Sequence, residues 1–232
     1  MTYENMEKAL FLSRPNRFIA ICKRQNCEEV ICHVKNTGRC RELLIPGKSE
    51  VFIEKSNNEN RKTKYDLISV LKNGRLINMD SQIPNAVAEE GLLNKSITLP
   101  GFENITFLKR EKTFGNSRFD IYIENGEKKA FVEVKGCTLE EDGVCMFPDA
   151  PTLRGVKHIF ELIKTKEEGF DAFIIFVIQM KNVKYFTPNY KTHKEFGEAL
   201  KIAKEKGVNI LAFDCNVSEN SITINKPVNI IL

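Results

Sequence analysis

The chain contains 232 residues, of which 42% are hydrophobic and 28% are charged, and its formal net charge is +4. This composition is typical of an ordinary globular protein, and no internal repeat or low-complexity tract interrupts it. No apolar run approaches the roughly 18 residues that a bilayer span needs, so we expect no membrane segment. The small positive charge permits a nucleic-acid partner without requiring one.

The seven cysteines indicate a reducing compartment. Their number is odd, and no CxxC pair occurs among them. This pattern favours free thiols over a disulfide framework, so we expect a cytoplasmic protein. A zinc site formed by Cys22, Cys27, Cys32 and Cys40 stays open as an alternative, although their spacings match no common zinc finger.

The first 80 residues contain short segments with the alternation of β-strands and no helical period. These segments are RFIAICKR (17–24), EEVICHV (28–34), EVFIEK (50–55), KYDLISVL (64–71) and RLINMD (75–80). Five short strands in this length suit a small closed barrel, which also removes exposed strand edges. We therefore predict an all-β part, an OB-like five-stranded barrel, over residues 1–82.

A different pattern begins at Pro84 and Asn85, which predict the start of a helix. Further along the chain, two amphipathic helices, over 151–169 and 193–207, alternate with strongly apolar strands. The predicted order is helix, three strands, helix, strand, helix and strand. This order predicts an α/β domain with a mixed sheet over residues 83–232.

Two strands of this domain form a predicted hairpin with the sequence RFDIYIENGEKKAFVEVKG (118–136). The Asn-Gly pair at 125–126 lies between two alternating runs, which is a strong signal for a type I′ turn. With this pair at the centre of the turn, Asp120 faces Phe131 and lies diagonal to Glu133.

Alternation divides the side chains of the hairpin between two faces. One face is apolar and contains Phe119, Ile121, Ile123, Ala130, Val132 and Val134. The other face carries Arg118, Asp120, Tyr122, Phe131, Glu133 and Lys135. Two neighbouring carboxylates repel each other unless a cation lies between them, so Asp120 and Glu133 indicate half of a divalent-metal site. The alternative is a solvated face on which these charges have no function.

A helix, a meander with Asp120 and Glu133-Val134-Lys135, a second helix and a buried strand resemble the PD-(D/E)XK nuclease superfamily. The resemblance implies that Asp120, Glu133 and the backbone carbonyl of Val134 bind Mg²⁺ or Mn²⁺, since hard oxygen ligands suit such ions. It also implies that Lys135 orients the attacking water or offsets developing negative charge. The ExK tripeptide alone is weak, and its place on a hairpin beside an aspartate makes it more specific.

A closer resemblance comes from several strings that run in order along nearly the whole chain. They are NRF (16–18), HVKNTGRCRELLIPG (33–47), RKTKYDL (61–67), SRFDI (117–121), EVKGCTL (133–139) and FPDAPTLRGVKHIFEL (147–162). Together they resemble the sugar fermentation stimulation protein (SfsA) family. This resemblance implies an OB-like domain, a nuclease-like domain, DNA binding and a regulatory role in sugar metabolism. It adds Glu90, on the upstream helix, to the catalytic set of Asp120, Glu133 and Lys135.

The predicted nucleic-acid contacts come from several parts of the chain. They are Arg17, Asn36, Thr37, Arg39, Arg61, Lys62, Lys64, Arg118, Arg154 and His158. Three parts of this set have a simpler alternative. The segment 36–38 holds a phosphate or forms a turn, 61–64 with Tyr65 binds a single strand or is a solvated loop, and His158 pairs with Glu161 at the surface. Asp149 is expected to cap the helix from 151.

These residues predict a Mg²⁺-dependent nuclease acting on DNA, with RNA as an alternative substrate. The rival is a non-catalytic DNA-binding regulator that keeps the nuclease scaffold, because a fold does not establish an activity. Two close acids favour the enzyme, since they would repel phosphates unless a cation neutralised them. A sugar- or nucleotide-binding protein is a third alternative, but no phosphate loop or dinucleotide fingerprint occurs. The oligomeric state, including a dimer, stays open.

Overall fold

The computed structural model describes all residues, 1–232, and begins with a β-barrel. Its strands are β1 (Met6–Asn16), β2 (Ile19–Arg24), β3 (Glu29–His33), β4 (Glu50–Lys55), β5 (Tyr65–Lys72) and β6 (Arg75–Asn78). Strands β1 to β5 close into a ring, because their order is β3-β2-β1-β4-β5 and β3 also pairs with β5. The predicted OB-like five-stranded barrel is therefore confirmed.

The strands that form the barrel differ from the predicted set. Strand β1 was not predicted, because charged residues and Pro15 interrupt its alternation. Irregular pairing between Phe11 and Asn16 lets this long strand bend and pair with both β2 and β4. The predicted strand 75–80 becomes β6, which lies outside the ring, pairs with β5 and contacts the second domain through an Ile77–Met180 bridge.

The rest of the chain forms an α/β domain. Its elements are α1 (Ile83–Leu93), β7 (Phe107–Phe114), β8 (Ser117–Asn125), β9 (Lys128–Cys137), β10 (Leu139–Glu141), β11 (Val144–Phe147), α2 (Leu153–Glu167), β12 (Asp171–Ile178), β13 (Tyr185–Pro188), α3 (Lys194–Glu205), β14 (Asn209–Val217) and β15 (Ile222–Pro227). The main sheet has the order β15-β14-β12-β9-β8-β7. Strands β9, β12 and β14 are parallel and the others antiparallel, which confirms the predicted mixed sheet.

The central strand β12 is buried on both faces, as its continuous apolar sequence predicts. Phe173 and Ile175 face the side of the sheet that α1 covers, whereas Ile174 and Phe176 face α2 and α3. The ring of Phe176 stacks on Phe186 of β13 at a centroid distance of 4.1 Å. The four strands β10, β11, β13 and β15 were not predicted, and three of them have only three or four residues, too few for a period to be recognised.

Helix α2 begins two residues later than predicted, and its cap is not Asp149. The N-cap is Thr152, whose hydroxyl accepts a hydrogen bond from the Gly155 N–H at 3.0 Å. Asp149 lies three residues further from the helix, and its carboxylate lies against Gly38 of the barrel. None of the three α-helices has both the length and the apolar sequence needed to cross a membrane.

The two parts of the chain are joined by a buried polar contact at Gln179. Its side-chain amide donates to the carbonyl of Asn78, to the Asn78 side chain and to the carbonyl of Asp80, at 2.9–3.1 Å. Gln179 is only 1% exposed, so water cannot replace these bonds. This amide fixes the end of the barrel next to β9.

Substitution of Gln179 by leucine is expected to destabilise the protein by about 2 kcal/mol, because buried carbonyls would lose their donor. The free energy of unfolding in urea measures the effect. Gln82→Leu is a matched control, since Gln82 is exposed and its side chain makes no capping hydrogen bond. Equal stabilities of the two variants would show that the amide contact contributes nothing.

Candidate active site

The hairpin of β8 and β9 has a different turn from the predicted one. Asn125 pairs with Lys128, so Gly126 and Glu127 occupy the loop, and Gly126 has φ of 60°. A glycine with positive φ at the first loop position is the pattern of a type II′ turn. The pairing moves by two residues relative to the prediction, which keeps the side chains of the regularly paired residues on their predicted faces because the period is two.

This register changes the position of Asp120. Tyr122, and not Asp120, faces Phe131, and the last regular pair is Ile121 with Val132. Continued by one residue, this register would bring Asp120 toward Glu133 instead of Phe131, but regular pairing ends before Asp120.

Strand β8 separates from β9 at Asp120. The Val134 N–H donates to Oδ2 of Asp120 at 2.8 Å, so a side chain replaces the backbone acceptor of a regular sheet. Phe119 was predicted to share a face with Ile121, but it packs instead on Phe131, at a centroid distance of 5.4 Å. The separation opens the edge of β9 and directs Asp120 into a cavity of about 360 Å³.

Glu133 is 3% exposed and is held by two donors on one oxygen. Its Oε1 accepts hydrogen bonds from Lys135 Nζ and from His158 Nδ1, the latter at 2.6 Å. Arg154 Nε donates to His158 Nε2 at 3.4 Å, which leaves Nδ1 as the protonated nitrogen of the ring. The other oxygen, Oε2, is buried and has no hydrogen-bond partner.

The pKa values of the two carboxyl groups shift in opposite directions. Burial, and next the negative charge of Glu133, raise the pKa of Asp120. Burial alone would raise the pKa of Glu133, but the hydrogen bond from His158 and the charge of Lys135 outweigh it and lower that pKa. A cation between the two carboxylates would offset the negative charge of Glu133. The part of the rise in the Asp120 pKa that this charge causes would then disappear.

These atoms fit a small divalent cation. Oε2 of Glu133 has an unused buried position, and Asp120 retains free lone pairs after accepting one hydrogen bond on each oxygen. The Val134 N–H points to Asp120. Because a strand residue directs its N–H and its C=O to the same edge, the Val134 carbonyl also points that way and stays a predicted ligand. No group of three or more His, Cys, Asp or Glu side chains is arranged so that it could hold a metal ion, so Asp120 and Glu133 are the two carboxylates that the prediction relies on.

Glu90 does not belong to the site, contrary to the prediction. Its carboxylate pairs with the amino group of Met1 at 2.7 Å. The α1 side chain that reaches the site is Asn85, whose amide donates to Asp120 Oδ1 at 2.8 Å. The two residues are five positions apart, about 140° around the helix, so they cannot face the same cavity.

The remaining predicted residues fall into three groups. Arg118, Arg154 and His158 line the cavity that contains Asp120, Glu133 and Lys135, which we call the catalytic cavity after these candidate catalytic residues. His158 bonds to Glu133, while Glu161 pairs with Lys164 instead. Arg17, Thr37 and Arg39 line a second cavity, and Asn36 lines a smaller, neighbouring cavity that Thr37 also lines. Arg61, Lys62 and Lys64 lie on the loop between β4 and β5, outside both cavities.

Two of the simpler alternatives describe these loops correctly. The segment 36–38 forms a turn in which the Gly38 N–H donates to the Asn36 side chain at 2.8 Å, so this N–H is not free for a phosphate. Arg61 forms a bidentate pair with Asp66 at 2.6 and 2.9 Å, and Tyr65 is buried. The cluster around Arg61 therefore offers no exposed aromatic ring for a base.

The stability of the metal-free protein is expected to depend on the protonation of Asp120. A group with a raised folded pKa stabilises the fold below its unfolded pKa, and this contribution is lost as pH rises through the folded pKa. In EDTA, the Tm of Asp120→Asn relative to wild type should therefore increase as pH rises above about 4, the ordinary pKa of an aspartate, since Asn85 can reverse its amide to bond the new side chain. The control Asp142→Asn makes the same change in an exposed turn. A Tm difference that does not change with pH would contradict the assignment.

Known proteins resemble this chain over its full length. Family models match two regions: "SfsA N-terminal OB domain" over residues 12–79 and "Sugar fermentation stimulation protein RE domain" over 82–221. The sugar fermentation stimulation protein homolog of Clostridium beijerinckii is 56% identical and covers 100% of both chains. That of Desulfitobacterium hafniense is 58% identical over 96% of this chain and 94% of its own. The structure of Pyrococcus furiosus SfsA in complex with Ca²⁺ superposes with a TM-score of 0.87 at 31% identity, covering 100% of this chain and 98% of that one. The chain therefore belongs to the sugar fermentation stimulation protein (SfsA) family.

Proposed function

We propose that this protein is a divalent-metal-dependent nuclease that binds DNA and hydrolyses its phosphodiester bonds. The observation that carries the proposal is the buried, unpartnered Oε2 of Glu133 beside Asp120 and Lys135. An unsatisfied buried carboxylate oxygen is costly, and a bound cation would remove that cost. The Ca²⁺ in the structure of Pyrococcus furiosus SfsA supports a divalent cation in this family.

The cation would be held by Asp120, Glu133 and the carbonyl of Val134, and Mg²⁺ or Mn²⁺ suits these oxygen ligands. When bound, it would supply a water of lowered pKa and positive charge beside the phosphate. His158 fixes the orientation of Glu133 through Oε1, which leaves Oε2 for the cation. Asn85 and the Val134 N–H orient Asp120 in the same way.

Lys135 and two arginines provide the positive charge that the substrate needs. Lys135 Nζ is anchored on Glu133 and lines the catalytic cavity, so it can orient the attacking water or offset the charge that develops on the phosphate. Arg118 and Arg154 line the same cavity and can bind the phosphates on either side of the cleaved bond. No side chain in this set reads base edges, so we expect weak sequence preference.

The test is a cleavage assay with supercoiled plasmid, linear duplex and single-stranded DNA in Mg²⁺, Mn²⁺, Ca²⁺ or EDTA. The proposal expects cleavage with Mg²⁺ or Mn²⁺ and none in EDTA. It also expects DNA binding whose log affinity falls with log salt by about 0.9 for each phosphate contacted on duplex DNA. Salt-sensitive binding without cleavage in any metal would support the rival, a non-catalytic DNA-binding regulator. A flat salt response would exclude DNA as the partner.

A further inference from the structure

Three cavities adjoin one another along one side of the molecule. The arginine cavity, in the barrel, has a volume of about 580 Å³, the connecting cavity about 190 Å³ and the catalytic cavity about 360 Å³. Thr37 and Gly38 line both the arginine and the connecting cavities, and Ser81 and Phe147 line both the connecting and the catalytic cavities. They therefore form one groove that runs from the barrel to Asp120.

Arg14 builds the arginine cavity by holding two loops together. Its guanidinium donates to the carbonyls of Asn36, Gly38 and Arg39 in the loop between β3 and β4, at 2.6–3.0 Å. It also donates to the carbonyl of Arg17, in the turn between β1 and β2, at 2.7 Å. The cavity is thus lined by backbone that is already ordered, which lowers the entropic cost of binding a ligand.

The charge of the arginine cavity is unbalanced. Four arginines and no acidic residue line it. Arg17, Arg39 and Arg41 are exposed and form no salt bridge, whereas Arg24, Arg61, Arg75, Arg110 and Arg118 each pair with an acid. Exposed guanidinium groups without acidic partners are suited to bind phosphate.

Apolar surface for a base lies on the wall of this cavity and also beside it, at Phe18, which is next to the lining residue Arg17. The Arg17 guanidinium lies 4.8 Å from the ring centroid of Phe18, and this ring is 44% exposed. Ile45, on the cavity wall, is also exposed. An exposed aromatic ring and cations at one place are typical of proteins that stack unpaired bases and bind the backbone between them.

The connecting cavity limits the width of what the groove can hold. Gly38 and Asp149 approach so closely that a Cβ at residue 38 would lie 2.1 Å from the Asp149 carboxylate. The volume of about 190 Å³ is smaller than that of a typical small-molecule site, which is roughly 300–1,000 Å³. Asp149, Thr138 and Gln179 line it and no cationic side chain does, so the centre of the groove offers no charged partner for a phosphate.

We propose that the groove binds one single strand of nucleic acid, with one phosphate on Arg17, Arg39 and Arg41 and the phosphate to be cleaved beside Asp120. This proposal rests on the proposed function and adds its substrate class: a single strand, or the unpaired end of a duplex. A closed duplex is too wide for the connecting cavity.

The experiment measures fluorescence anisotropy of labelled mixed-sequence DNA strands of about 4, 8 and 16 nucleotides, which cover the site sizes of OB folds, and of a blunt 16-mer duplex. It is carried out in EDTA, so binding is measured without cleavage. The variant is Arg39→Ala/Arg41→Ala. The control Lys204→Ala/Lys206→Ala removes the same charge from exposed positions at the end of α3, outside all three cavities.

Wild type should gain affinity with strand length and bind the 16-mer strand at least about 10-fold more tightly than the duplex. The arginine variant should lose most of the gain with length, and its salt slope should fall by about 1.4, which is 0.7 for each of two lost phosphate contacts. The control should behave as wild type. An unchanged gain with length in the arginine variant, or tighter binding of the duplex, would overturn the proposal.

A second variant tests the path itself. Thr37→Trp places a large side chain at an exposed position where the arginine and connecting cavities meet. It should weaken binding of the 16-mer far more than binding of the 4-mer, and equal effects would contradict a continuous strand. A failure of the nuclease proposal would appear separately, as wild-type protein that cleaves nothing in Mg²⁺ or Mn²⁺ while these binding results remain.

Discussion

Replacement of Asp120 by asparagine is expected to reduce metal-dependent cleavage of DNA by at least about 1,000-fold. The change removes one of the two charged ligands of the proposed metal site, and a metal ion contributes several kcal/mol of transition-state stabilisation, of which about 4 kcal/mol corresponds to this factor. Asparagine has the same shape and can still accept from the Val134 N–H, so the separation of β8 from β9 should persist. Initial rates with a labelled strand in Mn²⁺ measure the effect.

The binding of DNA in EDTA separates loss of chemistry from loss of substrate. Without metal, Asp120 and Glu133 repel phosphates, so Asp120→Asn should bind DNA at least as tightly as wild type. Asp142→Asn, in the exposed turn between β10 and β11, should retain both activities. Cleavage by the Asp120 variant at the wild-type rate would remove this residue from the site.

Replacement of Lys135 by methionine is expected to lower cleavage by about 100- to 1,000-fold while metal binding persists. Lys135 is not a predicted ligand, and its ammonium is held on the oxygen of Glu133 that the cation does not need. His158 still donates to that oxygen in the variant, so Glu133 keeps one of its two anchors. The rate in saturating Mn²⁺ and the affinity for Mn²⁺ are measured on the same preparation.

The comparison of these two quantities defines the role of Lys135. A fall in the rate with unchanged metal affinity is the expected result for a residue that acts on the water or the phosphate. Equal losses of rate and metal affinity would mean that Lys135 only supports Glu133. Lys135→Arg should restore part of the rate, because the charge remains although the guanidinium has a different shape.

The architecture could be predicted because its signals are local. Alternation and β-branched residues mark β2 to β5, and the unbroken apolar run marks β12 as a strand buried on both faces. Strand β1 could not be recognised, since its alternation is interrupted where the strand bends to serve two partners. Closure of the barrel depends on that bend, which belongs to the tertiary structure.

The candidate site was predicted in its residue types and less well in its geometry. Asp120, Glu133 and Lys135 share one side of the hairpin because an even shift of register preserves the face. Nothing local distinguishes a type I′ turn at Asn125-Gly126 from the observed type II′ turn at Gly126-Glu127. The hydrogen bonds between β8 and β9 decide between these two turns.

Contacts between distant segments were the least predictable part. Asn85 reaches Asp120 only because α1 packs on one face of the sheet, whereas Glu90 pairs with Met1. Arg14 was not predicted as part of the arginine cavity, because its four acceptors are backbone carbonyls of two loops. Every residue has a backbone carbonyl, so no particular residue type in the sequence indicates a contact of this kind.

The most direct measurement is a calorimetric titration of Mn²⁺ and Mg²⁺ into wild-type protein and into Glu133→Gln. Glu133 supplies the buried oxygen on which the proposed metal site depends, and glutamine keeps its size while removing its charge. We predict that wild type binds the cation and that Glu133→Gln does not. No binding by wild type, or equal binding by the two proteins, would contradict a metal site between Asp120 and Glu133.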